Sequence, residues 1–252
     1  MKKISLVLGG GGARGFFHAG VIKALGGLKI GISEVRGVSF GALMGLVYAS
    51  SPERDIYEVV RSINMFRLFS FSSELISKKY VRRLLRKFVK EKNIEDLKLP
   101  FSFNAVDISS GKEVVFSKGK IFPAIFATMA LPGVVAPVRR NGMLLCDGGI
   151  SSNLPVHLAE KENVIACDVN PRPSVLGRKP GKVEIMLNMI FIMQEKITER
   201  ILERSAGKNM VVLALDDSAG MFDFRRSTAE RLMKKGYDAV MRNKKRIFQL
   251  AE

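Results

Sequence analysis

Val35-Arg36-Gly37-Val38-Ser39-Phe40-Gly41-Ala42-Leu43 is the stretch that decides the fold. Its first four residues read as the end of a short strand, and from Gly41 onward Met44, Leu46 and Val47 continue as a helix. The turn between them carries Gly-x-Ser-x-Gly. A serine lifted above a strand end sits in a strained backbone conformation, and the strand and helix then pass very close together. Side chains two residues before and after the serine would collide, so Gly37 and Gly41 fit where alanine would not. The Ser39 hydroxyl then points outward at a helix N-terminus, whose dipole and free N–H groups favour developing negative charge. Composition alone produces such a pattern in roughly one chain in ten of this length. A plain small-residue turn therefore competes with this reading until other stretches agree.

Upstream, residues 4–8 form a compact apolar run, read as a buried strand, and residues 9–15 a glycine loop. A helix follows over residues 16–25, stopped by Gly26-Gly27, and another is expected from Pro52 to about residue 63. This strand–helix alternation argues for an α/β fold: a three-layer sandwich, with a mainly parallel central sheet, helices on both faces, and Ser39 on a nucleophile elbow. Downstream, residues 101–106 and 113–116 read as a hairpin turning at Ser109-Ser110-Gly111, and residues 122–129 as a helix. A strand over residues 143–146 runs into Asp147-Gly148-Gly149, and a helix follows Asn153-Leu154-Pro155 through Leu158. Residues 164–167 and 210–215 read as strands, 172–182 as an exposed loop, and 184–205 and 227–250 as helices. Within residues 185–193 a core helix is expected, with Met186, Met189 and Met193 as an alternative lining for an acyl channel. No linker splits the chain, so one domain over residues 1–252 is expected, its motifs within residues 4–170 and a basic helical part at 184–252.

A formal net charge of +17 implies a large positive surface and an anionic partner: phospholipid headgroups, nucleic acid or acidic small molecules. Residues 77–92 concentrate that charge, with Tyr80, Val81, Leu84, Leu85, Phe88 and Val89 on one stripe and seven lysines and arginines on the other face. Such a helix can lie on an anionic membrane, or simply pack its stripe on the core with its charges in water. Nucleic acid is disfavoured, because the aromatics Tyr80 and Phe88 sit on the apolar stripe and not among the basic residues. Two cysteines, Cys146 and Cys167, exclude a disulfide framework and are expected as buried thiols. The N-terminal apolar run of residues 4–8 is too short for a signal-peptide core and no stretch approaches a membrane span, which points to a cytoplasmic protein, peripheral on the inner membrane face if it meets lipid.

Gly10-x-Gly12-x-x-Gly15 after a strand also fits a dinucleotide-binding turn. That reading needs an acidic residue at the end of the second strand, where this chain has Gly37-Val38-Ser39, with Glu34 placed before the strand. No Lys-Ser/Thr follows the glycines, so a phosphate-binding P-loop is excluded. Consecutive glycines can instead aim several N–H groups at one point. Beside the Ser39 turn, Gly10, Gly11 and Gly12 would form an oxyanion hole, with Arg14 stiffening the loop or holding a phosphate. Ser39 then needs a base. His18 and His157 fall on helices, where structural roles are commoner; Asp107 and Asp168 are rival strand-end carboxylates. Asp147, at a strand end beside Gly148 and Gly149, is the preferred candidate, provided burial raises its pKa.

Taken together, Gly10 to Gly15, Gly37 to Gly41 and Asp147 to Gly149 resemble the patatin-like phospholipase family. His18-Ala19-Gly20-Val21-Ile22-Lys23-Ala24-Leu25 and Asn153-Leu154-Pro155 are similar to further motifs of that family, and the likeness extends over about residues 4–170. The resemblance implies lipid acyl-ester hydrolysis by a Ser39–Asp147 dyad through an acyl-enzyme, without histidine, metal or cofactor. Arg14, Gly15, Gly37, Gly41, Gly148 and Gly149 would support the motif. Two other classes compete: a carboxylesterase or thioesterase acting on soluble acyl substrates, and a non-catalytic module that binds anionic lipid.

Overall fold

The computed structural model describes residues 2–64, 77–171 and 179–252. Its centre is an eight-stranded, mainly parallel sheet. β1 (Ile4–Leu8) lies between β2 (Ile32–Gly37) and β7 (Asn163–Asp168), and β7 pairs in turn with β8 (Asn209–Ala214), all parallel. Beyond β2 comes β3 (Phe101–Asp107), parallel to it, then the antiparallel β4 (Lys112–Phe116), β5 (Val138–Arg140) and β6 (Met143–Asp147).

Alternation along the strands buries both faces of this sheet. Ile4, Leu6 and Leu8 of β1 join one apolar cluster, while Val7 points the other way into a cluster with Val164 and Ala166. The first face is covered by α1 (Phe16–Gly27), α2 (Ser39–Ser50), α7 (Arg226–Arg242) and α8 (Lys244–Ala251), which supply Phe17, Leu46, Leu232 and Ile247 to its cluster. Ile201 and Leu202 of α6 (Lys182–Arg204) pack against the second. α1 and α7 touch backbone to backbone. A Cβ on Gly20 would lie 1.9 Å from the Met233 carbonyl oxygen, and one on Gly236 2.0 Å from that of Phe17.

Register at β3 positions the site. Phe103 pairs with both Gly37 of β2 and Phe116 of β4, while Val106 pairs with both Cys146 of β6 and Glu113 of β4. A strand has two edges, so β2 and β6 must share the edge of β3 opposite β4. They run towards each other along it, Gly37 level with Phe103 and Asp147 level with Ala105. Two strands thus end head to head, and both turns open at the same place.

Several elements differ from the sequence expectation. Glu34 lies within β2, and the helix expected from Pro52 is α3 (Ile56–Arg61), started by the Asp55 carboxylate accepting from the Tyr57 N–H at 3.2 Å. The expected 122–129 helix is only α5 (Ile121–Ile125), and the helix after Pro155 is a 3-10 turn, Val156–Leu158. The basic C-terminal helix divides into α7 and α8 at Asn243, whose Nδ2 donates to the Ala239 carbonyl at 2.9 Å and ends α7. β5 was not expected, although its signal is present: Asn141-Gly142, both at positive φ, close a tight hairpin into β6. The amphipathic α4 (Lys78–Phe88) packs Val81, Leu84, Leu85 and Phe88 on the core. Residues 172–178 of the expected loop at 172–182 lie outside the described residues. Cys146 and Cys167 are free and buried, and burial pushes both thiols up. Among the described residues no helix is long and apolar enough to cross a membrane.

Candidate active site

Ser39 caps the junction of β2 and α2 with a φ of 53°, in the left-handed region that a non-glycine residue rarely adopts. The two flanking glycines make that turn possible. A Cβ on Gly41 would lie 2.2 Å from the Leu8 carbonyl oxygen, and one on Gly37 would lie 2.8 Å from Ala42 Cα. Across the head-to-head strand ends, Ser39 Oγ donates to Asp147 Oδ2 at 2.6 Å. The other carboxylate oxygen accepts the Gly149 N–H at 2.8 Å. Burial pushes the Asp147 carboxyl up to about 6, against the lowering effect of those two hydrogen bonds. A buried carboxylate facing a hydroxyl, with a pKa near neutrality, has the position and basicity of a general base.

Neither histidine hydrogen-bonds to this pair. His18 is fully buried, its Nε2 at 2.8 Å from the Gly9 carbonyl, and burial lowers it to about 4, which keeps it neutral. His157 lies 2.8 Å from Glu113 on the surface. Asp107 has the opposite environment to Asp147: the Ser110 hydroxyl and the Leu144 and Ser109 N–H groups hold it below the usual carboxylate range. It serves the β3–β4 turn. Asp168 likewise accepts the Asn170 N–H at 3.0 Å, two residues along its own chain.

The glycine loop stands beside Ser39, close enough that a Cβ on Gly10 would lie 3.2 Å from Ser39 Cβ. Asn153 clasps Gly10 on both sides: its carbonyl accepts the Gly10 N–H at 3.0 Å, and its Nδ2 donates to the Gly10 carbonyl at 2.9 Å. Of the three amides expected to converge, that of Gly10 is therefore already committed. Gly11 is the N-cap and Gly12 the first residue of a 3-10 helix, Gly12–Gly15, where N–H groups have no acceptor within the helix. Arg14 stiffens the loop and does not reach for a phosphate. It is 2% exposed and donates to the carbonyls of Val169, Asp217, Ala219 and Leu215 at 3.0, 2.7, 2.9 and 3.4 Å.

Residues 6–160 match the family model described as patatin-like phospholipase. The chain belongs to the patatin-like phospholipase family. An uncharacterized NTE family protein of Mycobacterium tuberculosis is 36% identical over 160 residues, which are 61% of this chain and 44% of that protein. Lysophospholipase NTE1 of Cryptococcus neoformans var. neoformans is 34% identical over 168 residues, 62% of this chain and 10% of the enzyme. Patatin-like phospholipase domain-containing protein 6 of Mus musculus is 34% identical over 182 residues, 66% of this chain and 13% of that protein. The chain thus spans less than half the length of these curated relatives. The crystal structure of VipD from Legionella pneumophila shares the fold, with a TM-score of 0.62 at 13% identity, covering 98% of this chain and 67% of VipD.

Several residues around this patatin-like site carried no sequence signal for their place. Thr128 Oγ1 accepts the Ser39 N–H at 2.8 Å and holds the strained turn. The cleft over Ser39 is roofed from the C-terminal part, by Met221, Phe222 and Phe224, and walled by Phe40, Met129, Leu131 and Val135. The Met221 carbonyl fixes this roof to the glycine loop by accepting the Ala13 N–H at 2.8 Å. The free space beneath is about 40 Å³, room for about one water.

Proposed function

We propose that the chain is a lipid acyl hydrolase in which Ser39 is the nucleophile and Asp147 the base. The 2.6 Å hydrogen bond between them, inside a site whose burial raises the carboxyl to about 6, carries this reading. Ionised Asp147 takes the Ser39 proton as Oγ attacks the ester carbonyl. Charge gathers on the carbonyl oxygen, where the Gly11 and Gly12 N–H groups and the α2 N-terminus favour it. Collapse of the tetrahedral species breaks the C–O bond, and the departing alcohol receives the proton from Asp147. Asp147 then deprotonates a water that attacks the acyl-enzyme, Ser39 recovers its proton, and the fatty acid leaves.

An apolar wall suits a hydrocarbon chain better than a polar substrate. The lysophospholipase named among the relatives supports a lipid ester, and the basic face of α4 supports contact with an anionic membrane surface.

The test is labelling of the wild type, Ser39→Ala and Asp147→Asn with a fluorophosphonate, alongside hydrolysis of a short p-nitrophenyl ester and of phospholipid vesicles. The expected result is labelling and turnover in the wild type, both lost in Ser39→Ala and turnover lost in Asp147→Asn. Turnover of the soluble ester with intact vesicles left uncut would replace the lipid reading with a general esterase or thioesterase. A folded wild type that neither labels nor turns over would overturn the hydrolase reading and leave a lipid-binding module.

A further inference from the structure

α6 packs Leu187, Ile201 and Leu202 inward yet carries a second apolar stripe on its outer side. Its inward face carries the buried Gln194 and Thr198, and Asn170 Nδ2 donates to Thr198 Oγ1 at 3.0 Å. On the opposite face Ile185, Met189, Ile192 and Met193 follow one another at i, i+4, i+7 and i+8 and are 38, 59, 45 and 55% exposed. Residues 185–193 contain no charged side chain. This corrects the expected core helix: Met189 and Met193 face outward and not into the core. A contiguous apolar face left in water marks an interaction surface.

Its surroundings indicate the partner. Leu187 packs on the cluster of Ala130, Leu131, Val134 and Val135, and a Cβ on Gly133 would lie 2.6 Å from Met186 Cε. The same loop walls the Ser39 cleft through Leu131, Val134 and Val135. At its far end the Ala136 carbonyl accepts from Lys78 Nζ at 3.2 Å, at the start of α4. α4 contains no acidic residue and exposes Arg82, Arg83, Arg86 and Lys87. One loop at the rim of the cleft therefore joins an exposed apolar helix face to an exposed cationic helix. That pairing matches an anionic bilayer surface, with hydrocarbon for the apolar face and headgroups for the cations. A second copy of the chain is the poorer fit, since a formal charge of +17 opposes self-association.

We propose that the outer face of α6 inserts into the surface of an anionic bilayer beside the cleft, while α4 binds the headgroups. This rests on the lipid-hydrolase reading for its purpose but not for its measurement.

The chain contains no tryptophan, so Met189→Trp introduces a single indole at an exposed site, excited selectively over the four tyrosines. Carried in a Ser39→Ala background, it is mixed with vesicles of phosphatidylcholine and phosphatidylglycerol. The expected result is a blue-shifted emission that is quenched by lipids brominated on the acyl chain. Ile185→Glu/Met189→Glu, made separately, lowers vesicle binding roughly tenfold or more while leaving soluble-ester turnover unchanged in the Ser39 protein. Co-flotation with unshifted emission, meaning attachment through α4 alone, would overturn the proposal. So would absence of vesicle binding, or a blue shift that needs no vesicles and tracks a dimer in sedimentation. Failure of the hydrolase reading shows separately, as absence of ester turnover in the folded wild type.

Discussion

The cleft over Ser39 takes its floor and its roof from parts of the chain that follow different rules. The floor is made of backbone and close polar contacts: Gly10 gripped at both N–H and carbonyl by Asn153, Ser39 in a left-handed turn, Asp147 locked to Ser39 and Gly149. The roof is apolar side chain, Met221, Phe222 and Phe224, tied down through carbonyls that Arg14 and Ala13 hold. Substitutions in the floor should abolish function, those at the tie should loosen the fold, and those in the roof should retune access.

Asp147→Asn is the largest expected effect on turnover, a loss of about 10⁴-fold, because the amide cannot accept the Ser39 proton. It should also stabilise the protein. A folded-state pKa raised from 3.8 to about 6 means that the native state holds a proton the unfolded chain has lost, so stability falls as pH rises through that window. Above it the buried charge costs about 3 kcal/mol, which the neutral amide avoids. Denaturant melts at pH 8 check this: an Asn variant no more stable than wild type would contradict the burial assigned to Asp147.

Arg14→Ala sharpens the comparison at the tie. Removing a 2%-exposed guanidinium leaves four carbonyls, three of them on buried residues, without this donor, a loss of about 3 kcal/mol. Calorimetry should show the melting temperature falling by roughly 10 °C. An unchanged melting temperature would mean that roof and floor are not coupled through this residue. Phe222→Ala acts on the roof alone. Beneath it there is about 40 Å³, so substrate enters only if the roof moves, and truncation should raise kcat/KM for long-chain over short-chain esters about fivefold. An unaltered chain-length profile would place the acyl path elsewhere. The smallest effect belongs to His157→Ala, which removes a surface pair with Glu113: stability within ~1 kcal/mol and turnover within about twofold. A collapse of turnover would bring histidine back into the chemistry.

The floor was legible in the sequence because its demands fall on residue type. Gly37 and Gly41 flank a serine for want of space, and Asp147 is followed by two glycines because Gly148 and Gly149 pass within 2.4 Å of Asn104 and 2.6 Å of Asn153 if given a Cβ. The parallel pairing of β1 and β2 was also readable, since a helix separates the two strand-like runs. What escaped reading was set by shape and by register. Thr128 holds the Ser39 amide from a stretch with no pattern. Head-to-head ending of β2 and β6 depends on which edge of β3 each takes, and no local sequence states that. Gly10 has the sequence context of an oxyanion donor, but Asn153, far along the chain, claims its N–H. The apolar spacing of residues 185–193 fits a core helix equally well, and only the fold shows that Gln194 and Thr198 face inward.

The central claim is that Asp147 activates Ser39, and the most direct measurement is the rate of phosphonylation of Ser39 as a function of pH, read by intact mass. The rate should rise about tenfold per pH unit on the acid side, level off above about 6 as Asp147 ionises, and lose this limb in Asp147→Asn. A rate that is flat across that range, or a limb that survives in Asp147→Asn, would contradict it.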